Sequence, residues 1–409
     1  MTISRAFIEE IPKTDLHLHL DGSLRLSTLI ELAREQGVRL PAEDEKGLRR
    51  LVFKKRYSSL TDYLKGFAYT TAVLQTAPAL ERGGYELALD NQAEGVRYIE
   101  VRFAPQLHQN SRLTCIEAMA ALNRGLARAK EEFNGRPEVE SGAEPPFEYG
   151  IIACAMRMFD FGYSQYYDTL LRVHAHSDRK GVFALASQEL VRAAVEAKTR
   201  HGLPIVGFDL AGAEAGFPAE DHAHAYALAH KNFMKKTVHA GEAYGPESIF
   251  QAITDLHADR LGHALHLFDA GMIKSPEIKD KKAYVANLVQ FIADRRITIE
   301  VCLTSNLQTH PAIHGLAQHS FRKMREARLS ATFCTDNRTV SDTTVSAEIL
   351  KAVRAFHISS RELKNFIIYG FKRSFFPGTY IEKREYTRRI IDYYEKIEKR
   401  YARRGRRGA

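Results

Sequence analysis

The chain has 409 residues, 44% of them hydrophobic and 27% charged, with 26 Gly and 13 Pro, the composition of a folded globular protein. This excludes collagen-like, coiled-coil and disordered chains, and no stretch approaches the roughly 18 uninterrupted apolar residues of a membrane span. The net charge of +9 points towards nucleic acid only until it is localised: residues 381–409 hold eleven Lys or Arg against five Asp or Glu, so most of the basicity is a property of the tail.

At the N-terminus, MTISRAFIEEIPK carries acids where a signal peptide would place its apolar segment, so a cytoplasmic protein with no membrane partner is expected. Eight short apolar runs then follow one another: Thr14–Leu20, Tyr98–Ala104, Tyr149–Ala155, Ile205–Leu210, Thr237–Ala240, Arg260–Ala264, Ile297–Leu303 and Ser330–Cys334. Most are rich in β-branched or aromatic residues, and helical periodicity separates them at Thr114–Phe133, Ser187–Thr199, His222–Lys231, Ala283–Ala293 and Ile313–Ala327. Strands alternating with helices predict a parallel sheet, and eight repeats predict an α/β fold of the (β/α)8 TIM type. A doubly wound open sheet is the competitor, but no GxGxxG follows the first strand and polar residues end nearly every strand.

The first two strands are separated by about 80 residues, far more than a crossover needs. Helical stretches at Leu24–Glu35, Leu60–Leu74 and Ala79–Glu94 predict a cap over the barrel mouth, with Leu60, Tyr63, Phe67 and Tyr69 available to line a pocket or simply to pack the cap. Asn134–Pro146, rich in Glu, Gly and Pro, reads as an exposed loop. Ile390, Ile391, Tyr394 and Ile397 recur at helical spacing, so the chain is expected to divide into residues 1–380, the barrel, and residues 381–409, a basic C-terminal helix with a solvated end. RNA binding by that tail is the weaker reading. Cys115, Cys154, Cys302 and Cys334 are widely spaced with no CxxC and read as reduced core thiols.

The chemistry gathers at strand ends. In the first strand, Thr14-Asp15-Leu16-His17-Leu18-His19-Leu20-Asp21-Gly22, alternation puts His17 and His19 on one face and the leucines on the other. Two imidazoles side by side can chelate a divalent ion, zinc best among the common ones. His239 ends another strand and Glu242 follows it across a glycine; His263 ends the next, and Asp336 with Asn337 ends the last. In a barrel these carboxyl ends converge on one side, where active sites lie. Three histidines and an aspartate would make a mononuclear metal site with a position left open for water.

The motifs DLHLHLDGS, VHAGE, RLGHA and CTDN, with YIEVRFAP at Tyr98–Pro105 and DLAGAE at Asp209–Glu214, resemble the metal-dependent adenosine deaminases of the amidohydrolase-type barrels. The resemblance covers roughly residues 10–350, and it implies that His17, His19, His239 and Asp336 hold one Zn²⁺ per chain. It further implies attack of a metal-bound hydroxide on purine C6, with Glu242 protonating N1 and His263 orienting the hydroxide and stabilising charge. Adenosine, and 2′-deoxyadenosine with it, would become inosine and ammonia. Among substrate contacts it implies the Gly212 N–H at purine N3, Asp21 at the ribose 5′-hydroxyl and Asn337 at purine N7. Many family members carry a second aspartate where this chain has Asn337; an amide donates to N7 at any ordinary pH, whereas a carboxyl donates only when protonated.

Missing motifs narrow the field. The chain has no H-x-E…P-C-x-x-C signature, no GxSxG and no Walker A sequence, and no lysine ends the fourth strand to bridge two metals. Two alternatives stand beside adenosine deamination. One is the same chemistry on another 6-aminopurine: adenine, a 5′-modified adenosine or an aminofutalosine-like compound. The other is a non-catalytic barrel that binds nucleosides or nucleic acid, which predicts a broken metal set; here the set is intact. A small purine nucleoside is the expected partner, and nucleic acid is not.

Overall fold

Eight parallel strands occupy the eight expected places: β1 (Lys13–His19), β2 (Val96–Phe103), β3 (Glu148–Met156), β4 (Ile205–Ala211), β5 (Lys235–Ala240), β6 (Arg260–His263), β7 (Thr298–Val301) and β8 (Ala331–Phe333). The computed structural model describes residues 3–407. Each strand pairs with its neighbours in sequence order, and the ring meets itself just beyond β8. There the His19 N–H donates to the Asp336 carbonyl and the Asp336 N–H to the His17 carbonyl, both at 2.8 Å. The fold is the expected α/β barrel of the TIM type, and the open sheet is excluded by this pairing.

Strand alternation explains what faces where. Leu16, Leu18, Ile99, Val101 and Phe103 join the apolar layer between strands and helices. The inward set is unusual for such a barrel, whose interior is ordinarily filled with Val, Ile and Leu. Here it contains Glu100, Arg102, Asp209, Arg260 and Glu300, all buried and joined in ion pairs.

The insertion after β1 forms five helices, Leu26–Gln36, Glu45–Leu51, Leu60–Leu64, Phe67–Val73 and Ala77–Ala93. The single helix expected over Leu60–Leu74 is broken at Lys65 and Gly66, where glycine, a poor helix former, sits at the junction. Another expected helix, Ile313–Ala327, shortens to Phe321–Glu326 preceded by a 3-10 turn at Leu316–Gln318. Between the two, His319 is buried rather than exposed on a helix. The 134–146 segment contains one short helix, Pro137–Glu140.

A C-terminal helix spans Tyr380–Arg407; of the end expected to be solvated, Gly408 and Ala409 lie outside the described residues. Its buried stripe is Tyr386, Ile390, Tyr394 and Ile397, with Ile391 only partly covered. Tyr394 meets Phe7 edge-on at 6.0 Å, and the Tyr386 hydroxyl donates to the Arg97 carbonyl at 2.6 Å, so the helix docks where β2 begins, away from the strand ends that carry the histidines. No helix among the described residues is long and apolar enough to cross a membrane.

Truncating the fully buried Ile390 to Ala should therefore lower unfolding free energy by ~2–5 kcal/mol through lost burial and a residual cavity. Urea denaturation measures this, and bound metal per folded chain should not change.

Candidate active site

Four side chains converge at the carboxyl ends of β1 and β5 and just past β8. One ligating atom from each of His17, His19, His239 and Asp336 can be chosen so that all lie within 4.8 Å of one another. His19 Nε2 stands 3.2 Å from His239 Nε2, and Asp336 Oδ1 is 3.4 Å from His17 Nε2 and 3.6 Å from His19 Nε2. His17 Nε2 is buried with no hydrogen-bond partner. Three imidazole nitrogens and a carboxylate oxygen aimed at one point, one of them an orphaned lone pair, fit a tetrahedral divalent cation.

Carboxylates behind two of these rings set their tautomers. His17 Nδ1 donates to Glu300 Oε2 at 2.7 Å, and His239 Nδ1 to Asp209 at 3.1 Å, so each ring turns its Nε2 lone pair inward. Both carboxylates are buried, and burial alone would favour their neutral forms. His239 and Arg102 outweigh this for Asp209, and Arg102 and Arg260 for Glu300, holding both well below the usual carboxylate range. Burial also lowers the pKa of His19 and His239, favouring the neutral imidazole that a metal requires.

Asp336 reaches the cluster because the chain there takes an uncommon conformation, φ +62°. The preceding Thr335 is clamped to the first strand, donating from its hydroxyl to Asp15 Oδ2 at 2.5 Å and from its N–H to Asp15 Oδ1 at 3.2 Å.

Glu242 follows β5 by way of Gly241, whose φ of +71° places it where a Cβ would strike Ile249 at 2.5 Å. The carboxylate of Glu214 gathers this turn: it accepts the N–H groups of Gly241, Glu242, Ala243 and Tyr244 at 2.5–3.1 Å and the Ser248 hydroxyl at 2.6 Å. Glu242 is thus fixed from behind while its own carboxyl stays free. Burial, reinforced by the negative charges of Asp336 and Glu214, pushes that carboxyl up to about 8, so at neutral pH it carries a proton. His263 faces it, Nε2 lying 3.8 Å from Glu242 Oε2.

A cavity of about 920 Å³ opens over this group and is roofed by the insertion. His19, His239, Glu242, His263 and Asp336 line its floor, with Asp21, Gly212 and Asn337 at its sides; His17 lies beneath, fully covered. Asp21 Oδ1 is buried without a partner. Asn337 Nδ2 donates to the Tyr63 hydroxyl at 2.8 Å, which leaves its second amide hydrogen unspent. Gly22 makes room for this amide, since a Cβ there would fall 1.7 Å from Asn337 Oδ1. Leu60, Tyr63 and Phe67 line the cavity as the sequence allowed, and Tyr69 is not among the lining residues.

Sequence reasoning singled out none of the residues behind the rings. Arg102, Asp209 and Glu214 lie inside motifs that it quoted but to which it gave no role, and alternation in the second strand was the available signal for Arg102. Glu300, Asn306 and His319 carried none.

The site and the barrel can be set beside known proteins. The family model for adenosine deaminase matches residues 12–393. An adenosine deaminase of Mycobacteroides abscessus is 37% identical over 372 residues, covering 90% of this chain and 92% of that protein. Among solved structures, the N6-methyl-AMP deaminase of Arabidopsis thaliana aligns with TM-score 0.71 at 25% identity, over 95% of this chain and 98% of that one. An amidohydrolase of Burkholderia ambifaria with bound Zn shares the fold, with TM-score 0.75 at 20% identity over 98% and 96% of the two chains.

If Asp209 orients His239 as a ligand, Asp209→Asn should weaken metal binding by about 10- to 100-fold, the usual scale for a partner behind a ligating histidine. Competition with a metal-sensitive chelator dye measures it, and an unchanged affinity would exclude the role.

Proposed function

The chain belongs to the adenosine deaminase family, and from that premise we propose that it hydrolyses adenosine, and 2′-deoxyadenosine, to inosine and ammonia with one Zn²⁺ per chain. The family is metal-dependent, and its chemistry here is deamination of an adenosine-like purine. The observation that carries the reading is the opposed pairing at the cavity floor: a protonated, buried Glu242 beside a cluster of inward-facing imidazole lone pairs.

His17, His19, His239 and Asp336 would hold the ion. A divalent cation there supplies Lewis acidity that lowers the pKa of a water towards ~7. Glu242 delivers its proton to purine N1, which lets the ring accept the electron pair as the water oxygen bonds to C6. Its carboxylate then recovers a proton from that oxygen, and cleavage of the C6–N bond releases the amino group as ammonia. His263 sits where it can hydrogen-bond the attacking oxygen. Gly212 would present its N–H to purine N3, Asp21 its unpartnered oxygen to the ribose 5′-hydroxyl, and Asn337 its remaining amide hydrogen to N7.

A nucleoside is favoured over a nucleotide. Lys65 is the only Lys or Arg among the described residues lining the cavity, and it is paired with Asp62 at 3.4 Å. No cluster of cations awaits a phosphate. The volume also exceeds what a bare base would fill. A cytoplasmic setting agrees with four buried cysteines that form no disulfide.

Incubating adenosine with the protein and following its ultraviolet spectrum tests the reading: conversion should stop on chelation and return with Zn²⁺. Glu242→Gln should keep its metal while kcat falls by about 10²-fold or more, the scale of general acid–base catalysis. In the unaltered enzyme, kcat/KM should fall as pH rises past about 8, where Glu242 loses its proton.

Asn337 offers a sharper check. In 7-deazaadenosine the N7 acceptor is gone, and a buried donor left unpaired costs about 1–3 kcal/mol, or roughly 5- to 150-fold in kcat/KM. Equal kcat/KM for the two nucleosides would end this assignment.

A further inference from the structure

His263 differs from the three rings beside it in what stands behind it. Its Nδ1 faces Asn306 Nδ2 at 3.0 Å, an amide nitrogen in place of a carboxylate. Asn306 lies on the helix Leu303–Thr309 after β7, fully buried, and its Oδ1 is 3.2 Å from His319 Nε2. The Phe321 backbone N–H in turn points at His319 Nδ1, 3.0 Å away.

This chain of bonds has one direction. A backbone N–H can only donate, so His319 Nδ1 is the acceptor, and a neutral His319 carries its proton on Nε2. Burial pushes the His319 pKa down to about 3, which keeps the ring neutral. Its Nε2–H donates to Asn306 Oδ1. Turning the amide over would set two donors against each other at His319, so the Nδ2 group faces His263. Asn306 therefore donates to His263 Nδ1, and the His263 proton sits on Nε2, the nitrogen 3.8 Å from Glu242.

We propose that Asn306 and His319 are positioning residues that lock His263 in its Nε2–H tautomer, so that this ring meets the attacking oxygen as a hydrogen-bond donor and neither ligates the metal nor acts as the base. The consequence for the reaction rests on the deaminase reading above; the tautomer does not. Where His17 and His239 are wired as ligands by carboxylates, His263 is wired as a donor by an amide. The break in the expected 313–327 helix has its use here, since it turns His319 inward to start the relay.

The test combines spectroscopy and kinetics on the full chain. Two-bond ¹H–¹⁵N correlation spectra of ¹⁵N-histidine-labelled protein, with His263 assigned by its loss in His263→Gln, distinguish the two tautomers without substrate or metal. The unaltered protein should show Nε2–H; an Nδ1–H pattern overturns the proposal. Asn306→Asp conserves shape but offers an acceptor, and at about pH 8.5, above the ordinary imidazole range, it should switch His263 to Nδ1–H. Its kcat on adenosine at that pH should fall by about 10²- to 10³-fold, the scale of losing one donor to developing charge, with KM and zinc content little changed. Asn306→Ala, which only releases the ring, should lose about tenfold; this figure assumes that either tautomer is then accessible at a cost near 1.4 kcal/mol. A structural role predicts the reverse order, so an aspartate variant as active as the alanine one overturns the proposal. His319→Gln, which keeps an N–H donor, should restore more activity than His319→Phe. Nε2–H in a protein that leaves adenosine untouched would support the relay and sink the substrate reading.

Discussion

The site depends on one buried cation. Arg102 donates to Asp209 at 2.8 Å, to Glu300 at 3.0 Å and to the Leu16 carbonyl at 2.6 Å, and none of the three side chains reaches solvent. Without the guanidinium, two carboxylates would share a dry barrel interior and at least one would take up a proton. A protonated Asp209 or Glu300 would accept less well from the ring it orients, and the Nε2 lone pairs would no longer be held inward. Breaking such a buried pair from one side typically costs about 3–5 kcal/mol, so the arrangement is an all-or-none unit. Arg260 closes it below, bonding Glu300 at 2.7 Å, pairing with Glu100 and lying over the Phe375 ring.

Above that layer, the four imidazoles are chemically alike and differ only in their outer partners. A carboxylate behind His17 and His239 leaves an inward lone pair; the amide behind His263 leaves an inward proton. Ligand and donor are thus distinguished at a distance of one hydrogen bond from the reacting atoms. The backbone shares in the cost: Asp336 and His263 both sit at positive φ, +62° and +64°, conformations costing about 1–3 kcal/mol that persist only where surrounding bonds enforce them. For Asp336 those bonds are the two that close the barrel against β1.

Dryness does the remaining work. The cap helices over the cavity exclude water, and the same burial that lowers the pKa of His19 and His239 raises that of Glu242. Glu214 cannot substitute for Glu242 as the proton carrier, because its oxygens are taken up by four backbone N–H groups and a hydroxyl. Two glutamates three strand-ends apart in sequence logic thus divide the tasks of holding a turn and moving a proton.

Strand order and the convergence of His17, His19, His239, Glu242, His263 and Asp336 were legible in the sequence, because both follow from local rules. Period-two alternation sets which side chains share a face, and a parallel βα repeat brings every carboxyl end to one side. The cap and its lining aromatics were legible in outline for the same reason. What holds the site in its working state was not. Arg102 meets Asp209 across 107 residues and Glu300 across 198, and Asn306 meets His263 across 43, so no local pattern records these pairs. His319 was hidden inside an apparent helix, where its burial depends on a turn favoured by contacts made elsewhere. Local periodicity determined which residues come to the site; only the closed barrel decided which nitrogen of each ring carries the proton, because that choice belongs to a partner brought near by the fold.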